Sequence, residues 1–475
     1  MTRSGIRARL ALPALLATAL AACGGELGET GTGASAAPPT ARNLLLVVVD
    51  TLRADHLGLY GYERPTSPFL DRFAAERGVA FDQARATAPW TKPSVASILT
   101  GLDPRHHEVT LHHERLHSAA RSLAEVLAAA GYQTAAFQSN LLLSSLFGYQ
   151  QGFELYDETH LAGHDRSTGE ALHDAVVRWL REERDAERPF FLYVQHYEPH
   201  FDYLRDGAAF ADGPYTGGLR GDEPMDALIA ATSSLTDADV DHLRARYDAE
   251  IRYQDELLER LVAELDALGL SAETAIVLTA DHGEEFREHG ELSHQHKLFD
   301  ELVRVPLVIA RPGEPRPGRR VADPVSLVDL GRTALDILGF RELAFPGHSL
   351  VPLLAGEARD ELGPPVLAHA RTIPNLPGGG KADAPRDLDM IVIGPWKLVR
   401  DFHTGARHLF RLDRDPGERA DLAANEPERV RALEARVDAW LAEHRGLELT
   451  GAPETVELSA EMLQRLRDLG YLGEE

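Results

Sequence analysis

The sequence has very little cysteine and a shortage of basic residues, and these two absences exclude several classes of protein. Among 475 residues there is one cysteine, Cys23, so the chain has no intramolecular disulfide framework and no thiol nucleophile beyond it. The 49 lysines and arginines are outnumbered by 75 acidic residues, which gives a formal net charge of -26. Because the chain offers no basic stripe to a phosphate backbone, we expect no nucleic acid partner.

The sequence also lacks a long apolar run that would cross a membrane as a helix. Its N-terminal run, residues 10–22, follows three arginines and is shorter than a typical spanning helix. The run ends in Leu-Ala-Ala-Cys, which resembles the lipobox of bacterial lipoproteins, whose cysteine is lipidated and becomes the new N-terminus. We therefore predict a lipoprotein signal peptide over residues 1–22 and a lipid anchor at Cys23. The alternative is a plain signal peptide with a chance cysteine.

Residues 23–42 are rich in Gly, Ala, Thr and Pro, a composition that is typical of a flexible tether. The anchor and the tether together predict a protein held at a membrane of the bacterial cell envelope, with its folded part outside the cytoplasm. The whole chain has ordinary globular composition, with 44% hydrophobic and 26% charged residues, which is enough apolar material for a large core.

Apolar runs that alternate with amphipathic stretches predict an α/β fold. Residues 43–50, NLLLVVVD, form a continuous apolar run that is typical of a strand buried on both faces of a sheet. Runs of the same kind occupy residues 189–196, 274–283 and 305–310, and helical patterns lie between them. We therefore predict a mostly parallel sheet between helices over residues 43–365.

The pattern changes after residue 365. DMIVIGPWKLVRD, residues 389–401, predicts two strands joined through a Gly-Pro turn, and RHLFRLD, residues 407–413, predicts another. A helical pattern follows over residues 427–444. These elements predict a small C-terminal antiparallel α+β subdomain over residues 366–475.

Carboxylates and imidazoles at the ends of the predicted strands indicate a metal site. Such side chains are metal ligands, and the carboxyl ends of parallel strands meet at one sheet edge. The candidates follow an apolar run directly or lie close behind one: Asp50, His196, His200, Asp281, His282, His294 and His296. Taken alone, each has an ordinary alternative, a helix cap for an aspartate and a satisfied polar contact for a histidine.

Thr91 lies at the predicted start of a helix in TAPWTKPSVASILTG, residues 87–101. Pro93 suits the first turn of that helix and Gly101 suits its end. The free amides and the dipole at a helix N-terminus favour an anion. The hydroxyl of Thr91 is therefore either a nucleophile that a metal would activate or a simple helix cap.

Several segments, in order, resemble the sulfatases, a family of the alkaline phosphatase superfamily. They are NLLLVVVDTLRADHLGLYGY, WTKPSVASILTGLDP, YVQHYEPHFDY, LTADHGEEFREHG, GPWKLVR, HLFRLDRDPGERADL and LQRLRDLGYL. The resemblance covers residues 43–475. It implies an alkaline-phosphatase-like fold, with a mostly parallel sheet between helices, and a metal-dependent hydrolase of sulfate or phosphate esters.

Some positions depart from the family pattern. Family sulfatases convert a signature cysteine or serine into formylglycine, whose hydrated aldehyde attacks sulfur, and Thr91 stands at that position. Threonine cannot give an aldehyde by that route, because oxidation of a secondary alcohol gives a ketone. Val95 replaces the signature arginine, Thr51 the second aspartate of an Asp pair, and His282 an asparagine. The family's Lys and His pair after the signature has no clear equivalent in AAFQSN, residues 135–140.

The resemblance implies a divalent metal ion, calcium in the usual family site, while a histidine at position 282 favours zinc or manganese. Asp50, Thr91, Asp281 and His282 resemble one metal site of superfamily phosphodiesterases that use a threonine nucleophile. A second metal there would take its ligands from His196, His200, and His294 or His296. The implied catalytic residues are Thr91 and His200, and the implied contacts to an anionic sulfate or phosphate group are Arg53, His200 and Lys297.

Three functions are compatible with these residues. The first is a hydrolase of sulfate or phosphate esters with Thr91 as direct nucleophile. The second is a phosphodiesterase or phosphoryl transferase of the cell envelope, and the third is a non-catalytic binding protein on a sulfatase scaffold, which Val95 and Thr51 favour. The histidines within residues 106–117, and Asp255 on a predicted helix, are interpreted as solvent-exposed.

Overall fold

A computed structural model of the chain describes residues 41–161, 167–220, 223–359, 363–372, 385–444, 449 and 453–468. The predicted signal peptide, Cys23 and all but the last two residues of the tether lie outside the described residues. Within the described ranges, no helix combines the length and the apolar character that crossing a membrane requires.

The strands of the described residues form one large sheet, one small sheet and a short two-stranded ribbon. In chain order they are β1 (Asn43–Val49), β2 (Gly78–Arg85), β3 (Gln133–Gln138), β4 (Leu155–Asp157), β5 (Phe190–His196), β6 (Thr274–Ala280), β7 (Glu285–Phe286), β8 (Leu292–Ser293), β9 (Leu307–Ala310), β10 (Arg319–Ser326), β11 (Val366–Thr372), β12 (Arg386–Ile393), β13 (Trp396–Asp401) and β14 (Arg407–Arg411).

The α-helices of the described residues connect and cover these strands. In chain order they are α1 (Pro68–Glu76), α2 (Thr91–Thr100), α3 (Pro104–His107), α4 (Leu123–Ala129), α5 (Gly169–Arg178), α6 (Met225–Ala231), α7 (Asp237–Ala267), α8 (Asp300–Val303), α9 (Asp329–Ile337), α10 (Val351–Ala355), α11 (Pro427–Glu443) and α12 (Ala460–Asp468). The longest, α7, begins with a capping box, in which Thr236 and Asp239 each bond the other's backbone amide.

The large sheet has the strand order β10-β2-β9-β6-β1-β5-β3-β4. Its strands are parallel except for β9, which runs antiparallel to both of its neighbours, β2 and β6. Every residue of β1 is buried, as its unbroken apolar sequence predicts for a strand covered on both faces. The predicted mostly parallel sheet between helices is confirmed.

The register of the central strands places three carboxyl ends side by side. Val49 of β1 pairs with His196 of β5 on one side and with Ala280 of β6 on the other. The residues that follow β1 and β6, Asp50 and Asp281, therefore emerge at the same edge of the sheet. This edge is where open α/β sheets build their sites.

The small sheet, β11-β12-β13-β14, is an antiparallel meander, as predicted. One of its faces packs against α11, where Val430, Leu433 and Val437 contact Ile391 and Leu398. Its other face packs on the segment around α8, which follows the Asp281 loop. The C-terminal sheet is thus in direct contact with the part of the chain that carries the candidate site.

Candidate active site

Asp50, Asp281 and His282 converge at the carboxyl edge of β1 and β6. One ligand atom from each lies within 4.8 Å of the others, and all three residues are fully buried. His282 Nε2 is 3.4 Å from Asp50 Oδ1 and 3.8 Å from Asp281 Oδ2. The structure brings together these three sequence-predicted residues, which are far apart in the chain.

Thr91 is the first residue of α2, and its side chain faces the same cluster. Its Oγ1 lies 3.3 Å from His282 Nε2, and the hydroxyl is completely buried. The N-cap position is occupied by Trp90, so the Thr91 hydroxyl is not the cap of this helix. Ser94, one turn further, donates a hydrogen bond to the Asp281 carbonyl at 2.6 Å, which fixes α2 against the Asp281 loop.

Two amide side chains that the sequence did not single out as site residues complete the cluster. Asn140, which follows β3, donates from Nδ2 to Asp50 Oδ2 at 2.6 Å and lies 3.4 Å from Thr91 Oγ1. Gln195 of β5 approaches Asp281 Oδ2 with its Nε2 at 3.4 Å. Asn140 belongs to AAFQSN, the segment where the family's Lys and His pair has no clear equivalent, and no strand was predicted there.

His196, predicted as a metal ligand, is not brought to this cluster. Successive side chains of a strand point to opposite faces, and Gln195 already takes the face toward Asp281. His196 is buried, and neither ring nitrogen has a hydrogen-bond partner among the described residues. Burial, then the nearby His173, lowers the pKa of His196 to about 3.

Thr51 and Val95, which depart from the family pattern, do not bring a charged side chain to the cluster. Thr51 has a left-handed φ of 55°, and its amide nitrogen is 3.4 Å from Asp281 Oδ1. Thr51 therefore presents an N–H to the cluster. Val95 is fully buried in the main hydrophobic core, so its side chain stabilises the packing of α2.

The charged groups of the cluster lie close enough to shift one another's pKa. Burial, then the adjacent Asp50, raises the pKa of Asp281 to about 7. Burial acts to raise the pKa of Asp50, but His282 and His200 together hold it below its ordinary value. Burial acts to lower the pKa of His282, but Asp281 and Asp50 raise it to about 9. Two buried carboxylates this close require a positive charge beside them.

A second group of side chains borders the cluster. The His294 ring lies 4.5 Å from that of His282 and 5.1 Å from that of His200, measured between centroids. Glu284, which the sequence did not predict, holds His294 through a 3.0 Å contact between Oε1 and Nδ1. His296 is half-buried, and its carbonyl accepts a hydrogen bond from Arg386.

Arg53 and Lys297, predicted to contact the substrate anion, are engaged by carboxylates. The Arg53 guanidinium is 2.7 Å from Asp55 Oδ2 and 2.8 Å from Glu288 Oε1. Lys297 Nζ is 3.2 Å from Glu285 Oε2. Either cation would have to exchange these partners before it could bind an anionic ester.

The histidines after the signature are not solvent-exposed, contrary to their interpretation from the sequence. His106, His107 and His112 are each buried. His106 Nδ1 is 2.5 Å from Asp103 Oδ2, and His107 Nε2 is 3.1 Å from Ser97 Oγ. The bonds of His106 and His107 offset the cost of burying an imidazole and hold the segment after α2 in place.

The donor set fits a divalent metal ion. His282 Nδ1 is 2.9 Å from the Gly283 carbonyl, and donation there makes Nε2 the ring atom that would bind a cation in place of a proton. Asp50 Oδ1 is buried and accepts no hydrogen bond of good geometry within the described residues. Two carboxylates and an imidazole around one point are the ligand types that divalent transition metals take.

A family model for sulfatases matches residues 42–340. The chain belongs to the sulfatase family. Among curated sulfatases it is 25% identical to arylsulfatase K of Xenopus laevis over 78% of this chain and 77% of that protein. It is 27% identical to an ulvan-active sulfatase of Formosa agariphila over 71% of each chain.

Solved structures share the fold of this sulfatase-family chain. A phosphonate monoester hydrolase of Agrobacterium radiobacter superposes with a TM-score of 0.68 at 23% identity, over 88% of this chain and 98% of that one. A structure solved with its substrate, D-glucosamine-2-N,6-O-disulfate, also gives a TM-score of 0.68, at 19% identity over 86% and 98% of the two chains. The predictions of the family, the fold and a hydrolase acting on ester bonds are confirmed.

Proposed function

We propose that this chain hydrolyses sulfate or phosphate esters at a divalent metal ion, with the Thr91 hydroxyl as direct nucleophile. The metal would be held by Asp50, Asp281 and His282. The observation that carries the proposal is the position of Thr91 Oγ1, buried and 3.3 Å from His282 Nε2, at the N-terminus of α2. Packing alone does not account for a Thr91 hydroxyl that faces two carboxylates and an imidazole.

The surrounding groups have distinct tasks in this mechanism. A bound divalent ion would lower the pKa of the hydroxyl and polarise the ester. Asn140 orients Thr91 Oγ1 and Asp50 Oδ2 at once, because its amide nitrogen reaches both oxygens. Attack by Oγ1 on sulfur or phosphorus transfers the group to Thr91 and releases the alcohol, and water then cleaves the threonine ester. Free amides at the start of α2 stabilise the charge that develops, and His200 contacts the anionic group.

The ligand set supports a proposal for the identity of the metal. His282 supplies a nitrogen where the family pattern has the oxygen of an asparagine, which favours zinc or manganese over calcium. We expect metal-free protein to regain turnover with Mn²⁺ or Zn²⁺ and to regain less with Ca²⁺. Metal analysis of the purified protein, followed by chelation and metal readdition, measures this. A protein that binds none of the three ions and loses nothing on chelation would contradict the metal assignment.

The nucleophile is tested by substitution of Thr91. We expect Thr91→Ala to lose at least about 10³-fold in kcat/KM, because the attacking oxygen is removed, while Thr91→Ser keeps measurable activity. The assay uses an aryl sulfate, a phosphate monoester and a phosphodiester, each with added metal. Thr100→Ser is the matched control, since Thr100 lies at the far end of α2 and its hydroxyl bonds backbone groups of Ala96 and Leu102, which serine can also do. Unchanged turnover in Thr91→Ala would sink the proposal.

A phosphoryl transferase of the cell envelope is the second candidate. Its support is the complete burial of Asp50, Thr91 and Asp281, because a site that excludes water lets an alcohol intercept the threonine ester. Product analysis with an added alcohol acceptor separates the two functions. Transfer in excess of hydrolysis favours the transferase, and hydrolysis alone favours the esterase.

We further propose a cellular location for this enzyme and a division of its chain into domains. The Leu-Ala-Ala-Cys sequence supports a lipid anchor at Cys23 outside the cytoplasm, with residues 23–42 as a tether. Residues 43–365 are proposed as the catalytic domain and residues 366–475 as the C-terminal subdomain. Replacement of Cys23 by serine should release the protein from the membrane fraction without changing its turnover, since no catalytic group lies in the tether.

A further inference from the structure

Lys397, on β13 of the C-terminal sheet, is a fully buried lysine that the proposed reaction does not use. Its Nζ lies 2.8 Å from Asp300 Oδ1 and 2.8 Å from Glu418 Oε1. Burying an ammonium group is costly unless it is closely paired, so these contacts fix the geometry of all three side chains. Lys397 belongs to GPWKLVR, a segment with no role in the site described so far.

Asp300 also binds a second buried cation, Arg85 at the end of β2. Arg85 Nη2 is 2.7 Å from Asp300 Oδ2, and Nε is 3.1 Å from Oδ1, which makes the pair bidentate. Glu418 Oε2 accepts the backbone N–H of Asp300 at 2.6 Å. Two cations, Arg85 and Lys397, therefore hold two carboxylates, and the network is electrically balanced.

This network fixes both chain segments that lead into the active site. On one side, Ala86 follows Arg85 and donates its N–H to the Val303 carbonyl at 2.8 Å, and the chain reaches Thr91 five residues later. On the other side, Gly283 directly follows His282 and donates its N–H to the Leu302 carbonyl at 2.8 Å. Asp300 and the short helix α8 thus link the Thr91 segment to the His282 segment.

The approach of Gly283 to α8 leaves no space for a side chain. A Cβ at position 283 would lie 2.1 Å from the Glu301 carbonyl oxygen, so the loop that carries Asp281 and His282 rests directly on α8. On its far side, α8 packs Leu302 and Val303 against the C-terminal sheet. A displacement of α8 therefore moves the metal-ligand loop.

We propose that Lys397 is a positioning residue of the active site, which acts from the C-terminal sheet through Asp300 and α8 on the Asp281–His282 loop and on the Thr91 segment. The inference rests on the proposed metal site, and it gives the C-terminal subdomain a role in catalysis. Groups that orient metal ligands from outside typically change metal affinity or activity by about 10- to 100-fold when they are lost.

The test compares Lys397→Met with Arg400→Met in the full chain. Arg400 lies on the same strand, is also buried, and pairs with Asp389 and Asp438 inside the C-terminal subdomain. Two quantities are measured besides kcat: Mn²⁺ affinity by calorimetric titration, and hydrogen exchange of peptides that contain Gly283. We expect Lys397→Met to weaken Mn²⁺ binding by about tenfold or more and to speed exchange at Gly283. Arg400→Met should change neither quantity, and Lys397→Arg should restore part of the Mn²⁺ affinity.

A second variant covers the case in which Lys397→Met does not fold. Lys397→Met with Glu418→Gln leaves Arg85 and Asp300 as a balanced pair, so the core keeps its neutrality while the link to β13 is lost. Faster exchange at Gly283 in this folded variant supports the proposal. Wild-type exchange and wild-type Mn²⁺ affinity in either folded variant overturn it. Absence of ester turnover in the wild type would reject the proposed function and leave both of these readouts to decide the role of Lys397.

Discussion

Gln195 and His196 show how one position in a strand decides which side chain enters the site. Gln195 Nε2 is 3.4 Å from Asp281 Oδ2, while His196 lies near His173 of α5. The two residues are adjacent, but the pleat of β5 sends their side chains to opposite faces of the sheet. The side chain of His196 therefore points away from the cluster, and the amide of Gln195 contacts the carboxylate of Asp281 instead.

This alternation makes a prediction about two neighbouring substitutions. Gln195→Leu should weaken Mn²⁺ binding by about tenfold, because Asp281 loses a donor that orients it. His196→Leu should leave Mn²⁺ affinity unchanged and should not destabilise the fold by more than about 1 kcal/mol, since the buried imidazole has no hydrogen bond to lose. Calorimetric titration and urea unfolding of both variants measure these effects. Weaker Mn²⁺ binding in His196→Leu alone would show that His196 is the ligand.

The contact between α1 and α7 depends on the carboxylate of Asp255, which was interpreted from the sequence as solvent-exposed. Asp255 of α7 is buried and accepts hydrogen bonds from the amides of Phe69 and Leu70, each at 2.8 Å. Ser67, the N-cap residue of α1, makes no side-chain cap bond, so Asp255 provides the missing acceptor from another helix. The interpretation of Asp255 as solvent-exposed was wrong, because its partner lies 185 residues away in sequence.

Asp255 gives this helix pair a pH-dependent stability. Burial raises the pKa of Asp255 from 3.8 to about 7, despite the two amides. Between these values the folded carboxyl holds a proton that the unfolded chain has lost, so its contribution to stability falls as the pH rises from about 4 to about 7.

The wild type should lose unfolding free energy between about pH 5 and about pH 8. We expect Asp255→Asn to lose less over the same range, by an amount on the order of 2–4 kcal/mol. Urea unfolding of the wild type and the variant at both values measures it. Glu256→Gln, at the exposed neighbouring position on α7, is the control and should keep the wild-type slope. An equal slope in Asp255→Asn would mean that this carboxyl is ionised throughout the range.

At the scale of the whole molecule, the segment around α8 shares apolar contacts with the C-terminal sheet. Leu298, Leu302 and Val303, which follow the Asp281 loop, form one cluster with side chains of the C-terminal sheet, among them Met390 and Val399. A buried leucine or valine contributes about 1.5–3 kcal/mol, so exposing these three side chains would be strongly unfavourable. Separation of the proposed catalytic domain from the C-terminal subdomain would expose all of them.

We predict that the chain without residues 1–42 unfolds in a single calorimetric transition, because the segment around α8 and the C-terminal sheet share one buried apolar cluster. A fragment of residues 43–365 should accordingly fail to give a cooperative transition. Calorimetry of both proteins, with near-ultraviolet circular dichroism as a second probe, checks this. Two separate transitions in the longer chain would indicate that the subdomains are independent and would also weaken the role proposed for Lys397.

The sequence by itself determined the type of the elements that carry the site, such as β1, β5, β6 and α2, and the chemistry available at the sheet edge. The apolar run at β1, the Asp281–His282 pair after β6 and the replacement of the formylglycine precursor by Thr91 are local properties, because they depend on side chains a few residues apart. Only the tertiary structure decided which distant groups meet them. In the folded chain, Asn140 and Gln195 contact the cluster and His196 points away from it. Arg53 forms ion pairs with Asp55 and Glu288. The physical reason is that a buried charge needs a partner, and strand register and helix packing, which join segments far apart in the chain, decide which residue that partner is.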